Sequence, residues 1–203
     1  MYQKALAGFI EVVCGSMFSG KTEELVRRIK RAQIGRQKVQ VFKPGIDNRY
    51  SVEHVQSHDS NKHPSISVTR ASEILELVDD NTRVVGIDEA QFFDEGIVDV
   101  AQKLAYRGIR VIISGLDMDF RGQPFGPMPK LLAVAESVTK LSAVCVVCGA
   151  PATRSQRIAG ITGADAPKVL VGAKDFYEAR CRFCHEPQDS RVPKRAPSPE
   201  ATA

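Results

Sequence analysis

Residues 15–22 read Gly15-Ser16-Met17-Phe18-Ser19-Gly20-Lys21-Thr22, a complete G-x-x-x-x-G-K-[ST] phosphate loop. The stretch before it, 9–14 (FIEVVC), is apolar and β-rich. The stretch after it, 22–34, sets Leu25, Ile29 and Ala32 at helical spacing with Arg and Lys on the opposite face. Strand, glycine loop and helix form the context in which this motif cradles phosphate. Gly15 and Gly20 let the backbone curl until successive N–H groups converge on phosphate oxygens. The helix adds the positive end of its dipole. Lys21 would reach the β- and γ-phosphates, and the Thr22 hydroxyl would ligate Mg²⁺.

Such a loop calls for a second apolar strand ending in aspartate at the same sheet edge. Residues 84–89, VVGIDE, supply it. Asp88 would hold Mg²⁺ through water, and Glu89 would lie beside the γ-phosphate as a general base. A base that activates water makes an ATPase, and one that takes a proton from a hydroxyl makes a kinase. Both reactions use these same residues, so the two motifs leave the choice open.

Further short strands read at 39–42 (VQVF), 109–113 (IRVII) and 138–144 (VTKLSAV). A helix is expected at 72–78, capped by Ser72 and carrying Ile74, Leu75 and Val78. Another is expected at 95–107, with Ile97, Val100, Ala101 and Leu104 inward and Gly108 as its stop. Strands alternating with helices predict an α/β fold, a P-loop NTPase-type parallel sheet flanked by helices, over residues 1–144. The polar stretch 44–65 lacks periodicity and is long for a connector, which suggests a functional loop.

The α/β pattern stops near residue 144. Beyond it lie two C-x-x-C pairs, Cys145/Cys148 and Cys181/Cys184. Paired in this way they predict one tetrahedral structural Zn²⁺ in a small subdomain over 145–185. The 32 residues between Cys148 and Cys181 exceed a compact ribbon, so zinc would pin both ends of a loop. Within that loop Lys168-Val169-Leu170-Val171-Gly172 reads either as an edge strand or as a lid over a flat ligand. His185, directly after Cys184, reads as a surface residue. Cys14, inside the first strand, reads as a buried small hydrophobe. The phosphate loop, distant in sequence and in another core, is expected to be independent of the zinc subdomain. Residues 186–203, with four prolines and few apolar side chains, are expected to be a disordered tail.

Composition narrows the class. The 203 residues are 43% apolar and carry a net charge of +4, too mild to demand nucleic acid. Positive charge is concentrated in residues 1–50, with ten basic against four acidic groups, which suits a nucleotide phosphate. The segment 149–180 holds only Arg154, Arg157, Lys168, Lys174 and Arg180 against three acids, sparse for a nucleic-acid module. No apolar run approaches the roughly 20 residues of a bilayer span. No leader cleavage site follows the N-terminal residues, so no membrane partner and a cytoplasmic location are expected.

Taken together, these stretches resemble the type II thymidine kinases, nearly collinearly from Gly8 to His185. The resemblance rests on GSMFSGKT (15–22), FKPGIDNRYS (42–51), SHD (57–59), GIDEAQFF (86–93) and GLDMDFRGQPFGPM (115–128). The two cysteine pairs around KVLVGAKDFYEARC (168–181) complete it. Ser16 departs from the family's usual proline, which would alter loop stiffness alone. The resemblance implies transfer of the ATP γ-phosphoryl group to the 5′-hydroxyl of thymidine, with Mg²⁺ and structural zinc as cofactors. It makes Glu89 the proton acceptor. It extends the ATP contacts from Gly15–Thr22 to Asp47, Asn48, Arg49, Asp88, Glu89, Ala90 and Gln91, with Arg49 a candidate for balancing charge on the transferring group. It places thymidine against Phe120, Tyr177 and a lasso of Lys168, Val169, Leu170, Val171 and Gly172. It further implies a homotetramer inhibited by the end-product triphosphate. The competing reading is a P-loop ATPase with a zinc-ribbon nucleic-acid module.

Overall fold

The computed structural model describes residues 8–45, 64–158 and 176–187. Buried Val and Ile side chains build a six-stranded, wholly parallel sheet in the order β3-β2-β4-β5-β1-β6. Its strands are β1 (Ile10–Gly15), β2 (Val39–Pro44), β3 (Ile66–Val68), β4 (Val84–Ile87), β5 (Arg110–Gly115) and β6 (Ser137–Leu141). β1, β4 and β5, in the middle, are buried almost throughout, as strands covered on both faces must be.

One face is covered by α1 (Lys21–Ile34), which buries Leu25, Ile29 and Ala32 against Val41, Val84 and Ile112. These are the three positions that the spacing predicts. The other face is covered by α2 (Glu73–Leu77), α3 (Ile97–Tyr106) and α4 (Met128–Val134), around a larger cluster that includes Phe42, Ile87, Ile97, Leu104 and Leu131. At the start of the sheet Glu11 is gripped by Arg28 and Arg110, each at 2.6 Å, which ties α1 to β1 and β5. The architecture is the expected α/β, P-loop NTPase-type sheet.

Two local expectations fail. Ser72 makes no capping bond and is itself helical: the N–H groups of Ile74 and Leu75, which it would cap, go to the Ala71 and Ser72 carbonyls, each at 3.1 Å. The stretch 138–144 is not one strand. It breaks at Ser142 into β6 and β7 (Ala143–Val144), which pairs antiparallel with β8 (Pro151–Ala152). β9 (Arg154–Arg157) pairs antiparallel with β10 (Tyr177–Arg180). The two hairpins share a small buried cluster of Ala143, Cys145, Ala152, Ala179 and Cys181.

Candidate functional site

The phosphate loop leaves the C-terminal end of β1 and enters α1. Gly15 has φ 146°, and a Cβ there would lie 2.4 Å from the Leu141 carbonyl oxygen; Gly20 has φ 82°. A side chain has no room at Gly15 and would be strained at Gly20, so those two residues do much to set the loop's shape. Within the loop, the Ser16 carbonyl accepts from Ser19 Oγ at 2.8 Å and from Lys21 Nζ at 2.9 Å. Burial lowers the Lys21 pKa, opposed by the nearby carboxylates of Glu89 and Asp88.

β4 delivers those carboxylates. The Asp88 N–H is fixed to the Phe42 carbonyl at 2.9 Å, and Thr22 Oγ1 donates to Asp88 Oδ2 at 3.4 Å. Hydroxyl and carboxylate thus face one another across a small space, a donor set of hard oxygens that suits Mg²⁺. Asp88 Oδ1 accepts the Glu89 N–H at 3.0 Å. Glu89 has φ 53°, a left-handed conformation that costs a non-glycine residue about 1 kcal/mol or more. It opens the short 3₁₀ turn Ala90–Phe92. Burial raises the Glu89 pKa, reinforced by the charge of Asp88; the Asp88 pKa is also raised, again chiefly by burial. A half-buried carboxylate beside a lysine and a second carboxylate is equipped to take a proton.

Ala90 lies in the core, and buried Gln91 joins Glu89 to the backbone N–H of Leu116.

A second cluster sits against the phosphate loop. Phe120 and Tyr177, both buried, pack with Met17 and Phe176. Phe120 rides on the loop after β5, whose turn is held by Asp119: its carboxylate accepts the N–H groups of Arg121 and Gln123, both at 2.9 Å. Between the aromatics lies Arg157, 2% exposed. Its guanidinium carbon is 3.8 Å from the Phe120 ring centroid, and Nη2 donates to Tyr177 Oη at 2.6 Å. The sequence reading counts Arg157 only as a charge. No sequence signal marks it: β9 is polar throughout, and Ser155, Gln156 and Arg157 are buried alike.

His185 corrects another expectation. It is not at the surface but buried, with Nε2 3.0 Å from the Phe120 carbonyl oxygen. Burial lowers its pKa, so a neutral ring is favoured there. The start of the expected tail is docked too, since the Glu186 N–H donates to Gln156 Oε1 at 2.8 Å. Cys14 is buried as expected, and burial pushes its thiol up to about 11.

Cys145, Cys148, Cys181 and Cys184 come together with all four Sγ atoms within 4.8 Å of one another. Cys148 and Cys181 are 3.7 Å apart. A tetrahedral Zn²⁺ with Zn–S bonds of about 2.3 Å sets its thiolates roughly 3.8 Å apart. The four cysteines could therefore hold zinc, with His185 outside the cluster. Backbone N–H groups, led by that of Cys181, draw Cys145 down to about 6. Hydrogen bonds shared with Cys148 and Cys181 push Cys184 up to about 12. Asp47, Asn48, Arg49 and the residues 168–172 lie outside the described residues.

The thymidine kinase family model matches residues 8–185. The chain belongs to the thymidine kinase family. It is accordingly a nucleoside kinase, and the phosphate loop, β4 carboxylates and cysteine cluster all fall within the matched residues. Two solved structures show a weak overall likeness to this family member. An ATPase is 15% identical, with 76% of this chain and 75% of that one covered at a TM-score of 0.41. A Pif1 helicase from Candida albicans is 14% identical, with 68% and 36% covered at a TM-score of 0.38. Neither likeness bears on the reaction. No helix among the described residues is long and apolar enough to cross a membrane.

Proposed function

We propose that the chain transfers the γ-phosphoryl group of ATP to the 5′-hydroxyl of thymidine, giving dTMP and ADP. Glu89 accepts the hydroxyl proton as the 5′-oxygen bonds to the γ-phosphorus. The bond from that phosphorus to the β–γ bridging oxygen breaks, and ADP leaves. Lys21 and the loop N–H groups hold the phosphates, and Thr22 and Asp88 would hold a Mg²⁺, which would neutralise charge on them. Positioning and charge stabilisation supply most of the rate in such a reaction. Phe120 and Tyr177 bound the base site, with 168–172 closing over it and Arg49 near the transferring group. Zinc on the four cysteines fixes both ends of the closing loop and takes no part in the chemistry.

The observation that carries this reading is the contact of Met17, a phosphate-loop residue, with the Phe120–Tyr177 cluster. An ATPase needs only water at its γ-phosphate. An aromatic cluster packed against the phosphate loop suits the neighbourhood of a flat base instead. The rival nucleic-acid module is poorly supported: Arg157 is buried, and Arg180 is paired with Glu178 at 2.9 Å. Homotetrameric assembly, a cytoplasmic location and inhibition by the end-product triphosphate complete the proposal. The test is incubation with Mg-ATP and a panel of nucleosides. A 5′-monophosphate formed from thymidine and not from purine nucleosides supports the reading, and no phosphorylated nucleoside overturns it.

A further inference from the structure

The two C-terminal hairpins touch the phosphate loop at its second and third residues. Ser16 Oγ donates to the Ala152 carbonyl at 3.1 Å, and the Met17 N–H donates to Ser155 Oγ at 3.0 Å. Ser16, Ala152 and Ser155 are all buried. Both hairpin residues belong to strands locked to the cysteines. Ala152 pairs with Ala143 on β7, and Ser155 pairs with Ala179 on β10. β7 runs directly into Cys145 and β10 into Cys181. The Cys145 N–H is held by the Ala150 carbonyl at 2.8 Å, and the Val146 N–H by the Ala179 carbonyl at 3.1 Å.

On its other side Ser16 is a pivot, because its carbonyl takes the bonds from Ser19 and Lys21 described above. Its hydroxyl fixes it to one body while its carbonyl shapes the other. A cradle of inward-pointing N–H groups works only if its backbone is held before the phosphate arrives.

We propose that Ser16 and Ser155 are positioning residues that brace the phosphate loop against the cysteine hairpins, so that filling of the metal site and nucleotide binding are coupled. This rests on the reading of residues 15–22 as the ATP site. Ser16 is therefore more than a change in loop stiffness, and the loop is not independent of the cysteine subdomain.

The test uses zinc-loaded full-length protein and a non-hydrolysable ATP analogue. Ser16→Ala and Ser155→Ala should each weaken analogue binding by about 3- to 10-fold, the net worth of one hydrogen bond. Zinc content should stay the same. Ser155→Thr keeps the acceptor oxygen and should bind within about twofold of wild type, a rescue that a general packing defect would not give. Linkage is reciprocal, so the analogue should make wild-type protein more resistant to a zinc chelator, and the two Ala variants much less so. Wild-type affinity in both Ala variants, no rescue by Thr, or no effect of the analogue on chelation in wild type would overturn the proposal. Should a Ser155 variant fail to fold, Ser16→Ala decides by the same two readouts. Failure of wild type to bind the analogue would overturn the ATP-site reading itself.

Discussion

The Gln91 side-chain amide donates to the Glu89 carboxylate, while its carbonyl accepts the Leu116 N–H at 2.9 Å. The base candidate is thus aimed from β5 as well as from its own strand. Gln91→Leu keeps a side chain of similar size in this buried position, at the cost of the Leu116 N–H's partner, and should free the Glu89 rotamer. Turnover should fall about 10- to 100-fold, the usual penalty for ångström-scale misplacement of a reacting group. ATP KM should change little. Steady-state kinetics checks this, and unchanged kcat would show that Glu89 needs no external aim.

Glu89→Gln should lose about 10²- to 10⁴-fold in kcat, the usual worth of a general base. Its pKa is raised by burial, so wild-type kcat should fall with decreasing pH at values above the ordinary glutamate pKa of about 4.3. The variant's profile should lack that limb. The sign for stability is opposite. A carboxyl whose folded pKa is raised destabilises the fold once pH exceeds its unfolded pKa. Removing the charge should therefore raise the melting temperature at pH 7, and a thermal melt reads this directly.

Lys21→Ala should abolish phosphoryl transfer with an unchanged circular dichroism spectrum. Among the described residues Nζ makes one hydrogen bond, to the Ser16 carbonyl within the same loop, and α1 is anchored by Leu25, Ile29 and Ala32 rather than by Lys21. An unfolded variant would mean that Lys21 is structural.

Cys181→Ser should lower zinc content and melting temperature, because metal affinity acts as folding energy in such a cluster. Cys181 continues β10, which carries Tyr177, so thymidine KM should rise. ATP affinity should weaken as well, through Ser155 and Ala152. Zinc content, melting temperature, thymidine KM and ATP binding measured on one sample check all four.

Much of this was legible because it is local. Gly15, Gly20, Lys21 and Thr22 declare their roles by spacing, α1 and α3 by a 3.6-residue period, and the cysteines by two C-x-x-C pairs. What escaped depends on partners far away in sequence. His185 meets Phe120 across 65 residues and Ser16 meets Ala152 across 136, and no periodicity encodes such pairings. The break at Ser142 was invisible for a related reason. Strand propensity runs unbroken through 138–144, yet it does not say which sheet a residue joins. Ser72 failed because the N–H groups it would cap, those of Ile74 and Leu75, already bond to backbone carbonyls.

The central claim is that Glu89 takes its proton from a nucleoside hydroxyl and not from water. The most direct measurement is ADP release from Mg-ATP with and without thymidine, with nucleoside monophosphate quantified in the same reaction. The account predicts negligible ADP without thymidine, and one dTMP per ADP with it. ADP formed at the same rate without any nucleoside, or stimulated by DNA with no dTMP produced, would contradict it.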